Sequence, residues 1–187
     1  MSGADCALKR TPPGRCPRIV SNVLNENRFM ERSTYMRVKE IMSKDVVSCT
    51  TATPVTTVAV LMKLHDLSLI SVLHENTRFL AGVVTDRDLC LQVLATKAHP
   101  EHFLANQCMN VMVTFCQPED TIETALQKMG ESQVRRLPVL EKGLLVGIIG
   151  FGDIVRKSAA TPARIVTALR KIYAAAPVIE KTAKAAA

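Results

Sequence analysis

Apolar residues recur along this chain in blocks with two different periods. Val55, Val58, Leu61 and Met62 stand three and four positions apart, and so do Ile122, Ala125, Leu126 and Met129. That spacing puts each set on one face of a helix. Around them lie short apolar runs rich in β-branched residues, at 46–49, 69–73 and 79–84, then at 111–116, 137–140 and 144–149. Their length and composition predict strands. Polar residues punctuate the pattern. Residues 51–54 and 117–121 precede the two helices, and Asp120 or Thr121 is able to cap the second. Lys142-Gly143 predicts a tight hairpin. Second helices should begin near Asp86 and near Phe151. A further amphipathic helix should start at Thr161-Pro162, with Ile165, Leu169 and Ile172 in register, and end near Tyr173. Residues 1–20 contain Pro12-Pro13-Gly14 and read as unstructured, residues 21–36 as a short helix, and the Ala/Lys stretch after Pro177 as a mobile tail.

The two sets of elements are copies of one unit. A shift of 67 positions brings Met42 onto Met109, Cys49 onto Cys116, Met62 onto Met129 and Val72 onto Val139. After one turn (74–81 in the first copy, 141–146 in the second) the shift becomes 65, and Gly82 meets Gly147 while Asp88 meets Asp153. Turns are where such length changes are tolerated. The chain thus divides into an N-terminal extension at 1–37, a β-α-β-β-α repeat at 38–96, a second at 105–159, and a C-terminal helix and tail at 160–187. One copy alone is too small to bury a good core. The expected fold is α+β, with two repeats pairing their sheets about a pseudo-twofold axis.

Composition narrows the function. The 187 residues include no Trp, and aromatics are only 4%. The core must be aliphatic, and stacking platforms for single-stranded nucleic acid are disfavoured. The net charge of +7 is unevenly placed: residues 38–155 are net acidic, and the excess of Lys and Arg lies in the two ends. Those ends are either solvated or an arm for nucleic acid or an acidic partner; nucleic-acid binding is the lesser alternative. Six cysteines form no Cys-x-x-Cys, and no His stands at zinc-ligand spacing, so no metal site is expected. Cysteine usage and the lack of an 18-residue apolar run read as a cytoplasmic protein without membrane contact. Cys49 and Cys116 either approach one another across the pseudo-axis or are two small buried thiols. His65, His74, His99 and His102 form no triad, and no catalytic residue is assigned; an enzyme is not expected.

The stretch Gly82-Val83-Val84-Thr85-Asp86-Arg87-Asp88-Leu89 resembles the Gly-h-h-Thr/Ser-x-x-Asp pattern of the CBS-domain family. Gln133-Val134-Arg135-Arg136-Leu137-Pro138-Val139 is similar to the family's second-strand start. Val38-Lys39-Glu40-Ile41-Met42 and Gln107-Cys108-Met109 match its opening. The resemblance spans residue 38 to about 157. It implies a tandem pair, a Bateman module, with two clefts that take AMP, ADP, ATP or a related adenosyl ligand. It implies a regulatory or signal-transduction role, a homodimer, an unidentified regulated protein, and no required cofactor. A ligand-free dimerisation scaffold is the alternative.

Cleft A centres on Gly82, Val84, Thr85 and Asp88. An ionised Asp accepts hydrogen bonds from ribose hydroxyls, and Thr reaches ribose or phosphate. Thr-x-x-Asp at a helix start is also a capping box that needs no ligand. Met112, Val113 and Val134 would flank the adenine there, and Arg135 would face it. Cleft B would use Ile149, Gly152 and Asp153, with Arg136 as phosphate clamp beside Pro138, and Val46, Leu67 and Ile70 around the base. Gly150 stands where the family pattern has Thr or Ser. Cleft A is therefore expected to have the better ribose grip and cleft B the better phosphate clamp. The Arg pair is alternatively a surface salt-bridging feature.

Overall fold

The computed structural model describes residues 36–96, 99–158 and 160–174. The expectations for residues 1–35 and for the tail after Pro177 lie outside the described residues. The first half contains α1 (Val38–Ile41), β1 (Ser48–Thr50), α2 (Val55–His65), β2 (Leu69–Leu73), β3 (Leu80–Thr85) and α3 (Asp86–Gln92). The second contains α4 (Ala105–Cys108), α5 (Ile122–Glu131), β4 (Arg136–Glu141), β5 (Leu144–Gly150) and α6 (Phe151–Lys157), and α7 (Pro162–Ile172) follows.

In the first sheet β2 is central, parallel to β1 and antiparallel to β3. In the second, β4 pairs antiparallel with β5. Both hairpins carry a register shift at the same place, between Val72 and Leu73 and between Val139 and Leu140. The second hairpin turns tightly because Lys142 and Gly143 both take positive φ, 51° and 82°, the backbone of a two-residue turn matched to strand twist.

The strand expected at 111–116 is not formed. Only Cys116 bridges, in parallel, to Val139. Its N–H donates to the Pro138 carbonyl at 2.9 Å, and its carbonyl accepts from Leu140 N at 2.8 Å. The cause is Pro138, which stands where the first repeat has Ser71. A residue's N–H and C=O leave a strand on the same side, so Pro138 presents its missing donor to this edge.

The halves exchange their opening segments. Val38 and Ile41 of α1 are buried with Ile122, Met129, Leu137, Ile149 and Ile154 of the second half. Ala105 of α4 is buried with Val58, Ile70 and Val84 of the first, and Cys108 with Val55 and Val93. Four main-chain bridges tie the exchange: Arg37 to Thr121 and Ser43 to Ile148, then Leu104 to Pro54 and Asn110 to Val83. The sequence offset converts the first pair into the second, which is the pseudo-twofold relation in hydrogen bonds. Gly82 and Gly147 lie at its tightest points. A Cβ on Gly82 would meet the Asn110 carbonyl oxygen at 2.7 Å, and one on Gly147 would meet Met42 Sδ at 2.6 Å and the Ser43 carbonyl at 3.0 Å.

Cys49 and Cys116 belong to different cores, so the possible approach across the axis does not occur. Finally, α7 lies along α5 with Ala168 and Ile172 buried, and Arg164 pairs with Glu123.

Candidate functional site

The exchanged segment after α1 forms one wall of a cavity of about 340 Å³. Ser43, Asp45, Val46 and Val47 come from that wall. His65 ends α2, Leu67 lies in the turn after it and Leu69 opens β2, while Arg136, Ile148, Gly150 and Asp153 come from the second half. Four apolar side chains of the first half thus face a cation and a carboxylate of the second. This is cleft B of the sequence reading, and it brings together Val46, Leu67, Arg136 and Asp153.

Arg136 opens β4 half-buried, and its guanidinium reaches across the cleft to donate to Ser68 Oγ. Among the described residues it has no carboxylate at ion-pairing distance. Arg135, its neighbour, is exposed, as strand alternation requires. Its carbonyl accepts from Phe151 N at 2.8 Å and so anchors the start of α6. Asp153 is held from two sides. Oδ2 accepts from Gly150 N at 3.1 Å; Oδ1 accepts from Arg156 at 3.0 Å and has Lys157 Nζ at 3.6 Å. Gly152 is exposed on α6.

At the equivalent bend of the first half, Thr85 Oγ1 donates to Asp88 Oδ2 at 2.6 Å, Thr85 N donates to the same oxygen at 2.9 Å, and Asp88 N donates to Thr85 Oγ1 at 3.2 Å. This is a complete capping box. The two carboxylates differ: Asp88 is engaged with its own cap, while Asp153 carries two cationic neighbours, because Arg156 and Lys157 align with Leu91 and Gln92 of the first copy.

Several residues named from the sequence lie elsewhere. Ile70, Val84 and Ile149 are fully buried, and their side chains fill the two cores instead of facing a cleft. Pro138 is buried between β5 and Cys116. Gly82 is closed off by Asn110. Met112 is 86% exposed, Val113 is half-buried, and Val134 packs against the second core. The sequence reading missed Ser43, Asp45, Val47, His65, Leu69 and Ile148. Two of the errors are parity slips: on β2 and β5 the cavity takes Leu69 and Ile148, the residues just before the chosen Ile70 and Ile149.

Burial pushes the Cys49 and Cys116 thiols up to about 11. Both remain protonated at neutral pH and are unsuited to nucleophilic work. Among the described residues no three His, Cys, Asp or Glu side chains converge as a metal ion would need, and no helix is long and apolar enough to cross a membrane.

The model of the CBS domain matches residues 38–94 and 105–160. The uncharacterized protein YlbB of Bacillus subtilis (strain 168) is 32% identical over 118 residues, covering 63% of this chain and 79% of that one. Among solved structures, Hypoxic Response Protein I with two coordinated zinc ions aligns at TM-score 0.60 and 30% identity, over 65% of this chain and 98% of its own. CBSX2 in complex with AMP aligns at TM-score 0.56 and 26% identity, over 64% and 93%.

Proposed function

Because the chain belongs to the CBS-domain family, we propose that it is a regulatory module that senses an adenine nucleotide, AMP, ADP or ATP, by binding alone. The observation that carries this reading is the joint presence of Arg136 and Asp153 in one cavity with Val46, Val47, Leu67 and Leu69. Its volume of about 340 Å³ lies within the usual range of ligand pockets. In this reading the aliphatic side chains hold the base, Asp153 accepts from ribose hydroxyls, and Arg136 leaves Ser68 to clamp phosphate. The likeness to CBSX2, whose structure contains AMP, supports the ligand class. The module works in this reading as a cytoplasmic homodimer that signals to a regulated protein.

Isothermal calorimetry with AMP, ADP and ATP tests the proposal. One of the three should bind, and Arg136→Ala should weaken it about 10-fold or more. No heat from any of them at millimolar concentration overturns it.

The completed Thr85–Asp88 box favours a purely structural role for the equivalent bend of the first half. Asp88→Ala should therefore lower stability and leave the calorimetric affinity unchanged.

A further inference from the structure

The two ends of the chain hold its basic excess. Residues 1–37 contain seven Lys or Arg against three acids, and residues 156–187 seven against one, while residues 38–155 are net acidic. The fold brings these distant segments to one place, the start of α5. The first segment joins the fold there: the Met36 carbonyl accepts from Ile122 N at 3.1 Å, and Arg37 bridges to Thr121, whose hydroxyl caps α5. The second arrives at the same turn, because Arg164 in the first turn of α7 pairs with Glu123.

Packing fixes α7 on this surface. Ala168 and Ile172 are buried against α5. Gly130 of α5 permits the approach, since a Cβ there would meet Lys171 Cβ at 2.9 Å. The repeat puts Lys63 at that position of α2, so the first half has no equivalent seat. At the far end Gln133 Nε2 donates to the Ala174 carbonyl at 2.7 Å, which sets the last turn of α7 beside the start of β4. Arg135, two residues beyond Gln133, is exposed at that same end. Arg164 and Lys171 share one flank of α7, roughly 10 Å apart along its axis, and Arg170 is exposed beside them. Among the described residues Arg135, Arg170 and Lys171 have no carboxylate at ion-pairing distance. Together α5, α6 and α7 hold six Lys or Arg against three acids, whereas α2 and α3 of the first half hold two against two.

We propose that α7, with the basic segments that meet it, is a docking surface for a nucleic-acid duplex, held by its phosphates without reading of the bases. Thr167 and Gln127 lie between the Arg164 and Lys171 side chains. Val166 and Tyr173, the large exposed hydrophobic side chains at α7, fall on the flank away from them. A protein interface is built around an apolar centre and is depleted of Lys; nucleic-acid interfaces are more polar and far more positive. Phosphates set along a stiff duplex suit cations set along a packed helix. Stacking of single-stranded bases needs rings, and this chain has no Trp and only 4% aromatics.

The inference is independent of the nucleotide, which calorimetry reads separately. Fluorescence anisotropy of the full chain with a labelled DNA duplex of about 20 base pairs tests it. At about 50 mM KCl the wild type should bind with a dissociation constant of about 10 μM or below, and the logarithmic salt slope should be about −3 to −4, as four phosphate contacts require. Arg170→Glu combined with Lys171→Glu should weaken binding about 10-fold or more and flatten the slope by about 2. Arg170→Gln with Lys171→Gln should act in the same direction, and Arg170→Lys should change little. Lys63→Glu combined with Arg87→Glu makes the same change of net charge on the first half and should leave affinity within about twofold. All variants should keep the wild-type far-ultraviolet spectrum. A wild type that does not bind at about 100 μM protein overturns the proposal. Equal weakening by the two glutamate pairs also overturns it, since only an unlocalised attraction of net charge then remains. Polyglutamate that competes as well as unlabelled duplex overturns the nucleic acid and assigns the surface to an acidic protein.

Discussion

Asp153 and Asp88 occupy one position of the repeat and do different work. Asp153→Asn removes the charge that faces the cavity and frees Arg156 and Lys157 from it. Nucleotide affinity should fall about 10-fold, read by calorimetry, with little change in melting temperature. Asp88→Ala should cost about 1 kcal/mol of stability, the usual value of a cap, read by urea unfolding. Asp120 gives a pH signature. Burial pushes its carboxyl up, but hydrogen bonds from Lys128 and the Gln117 N–H outweigh that and hold it below the usual carboxylate range. A folded-state value below the unfolded one stabilises above the unfolded pKa of about 4 and is lost as pH falls through the folded value. Urea unfolding between about pH 2 and 6 should show this acid limb, and Asp120→Asn should flatten it. At this scale the sequence was partly legible. Arg136 and Asp153 stand out in the sequence as charges set among apolar runs, and both line the same cavity. Aliphatic candidates do not stand out: Leu69 and Ile70 are chemically alike, and only strand register decides which of them faces the cavity.

Helices were the most legible elements. Asp86 and Phe151 begin α3 and α6, and Pro162 begins α7, because each start follows a β-run or a Thr-Pro signal. The segment at 111–116 failed because its apolar run said nothing of its partner, and the partner edge carries Pro138. The exchange of α1 and α4 was likewise hidden, since four-residue helices have too little periodicity to show which core they enter. Gly82 and Gly147 mark where the exchanged segments cross. Gly82→Ala should cost about 2 kcal/mol, because the clashing atom is the fixed Asn110 carbonyl. Gly147→Ala should cost less, because the flexible Met42 side chain is its closest neighbour. Thermal unfolding of both variants checks the order.

At the scale of the whole molecule, the cavity proposed for the nucleotide and the folded core share one set of contacts. The cavity wall at Ser43–Val47 directly follows α1, whose Val38 and Ile41 fill the second core. Bound nucleotide should therefore raise the melting temperature by mass action, and hydrogen exchange should slow across residues 38–47 as well as at β4. Differential scanning fluorimetry and exchange mass spectrometry read the two effects. The overall pairing was legible from the duplicated pattern, but the mode of pairing was not, since equal spacings describe two side-by-side units as well as two interlocked ones.

The interlocking also bears on whether the units can stand apart. Each unit's first helix completes the other unit's interior, so a solitary copy would leave one end of itself bare and its own interior short of a helix. Such a peptide is complete only when two molecules trade arms. Joining both units in a single chain replaces that concentration-dependent encounter with a tethered one worth about millimolar effective concentration. Splitting the chain between the two units should therefore make folding depend on protein concentration.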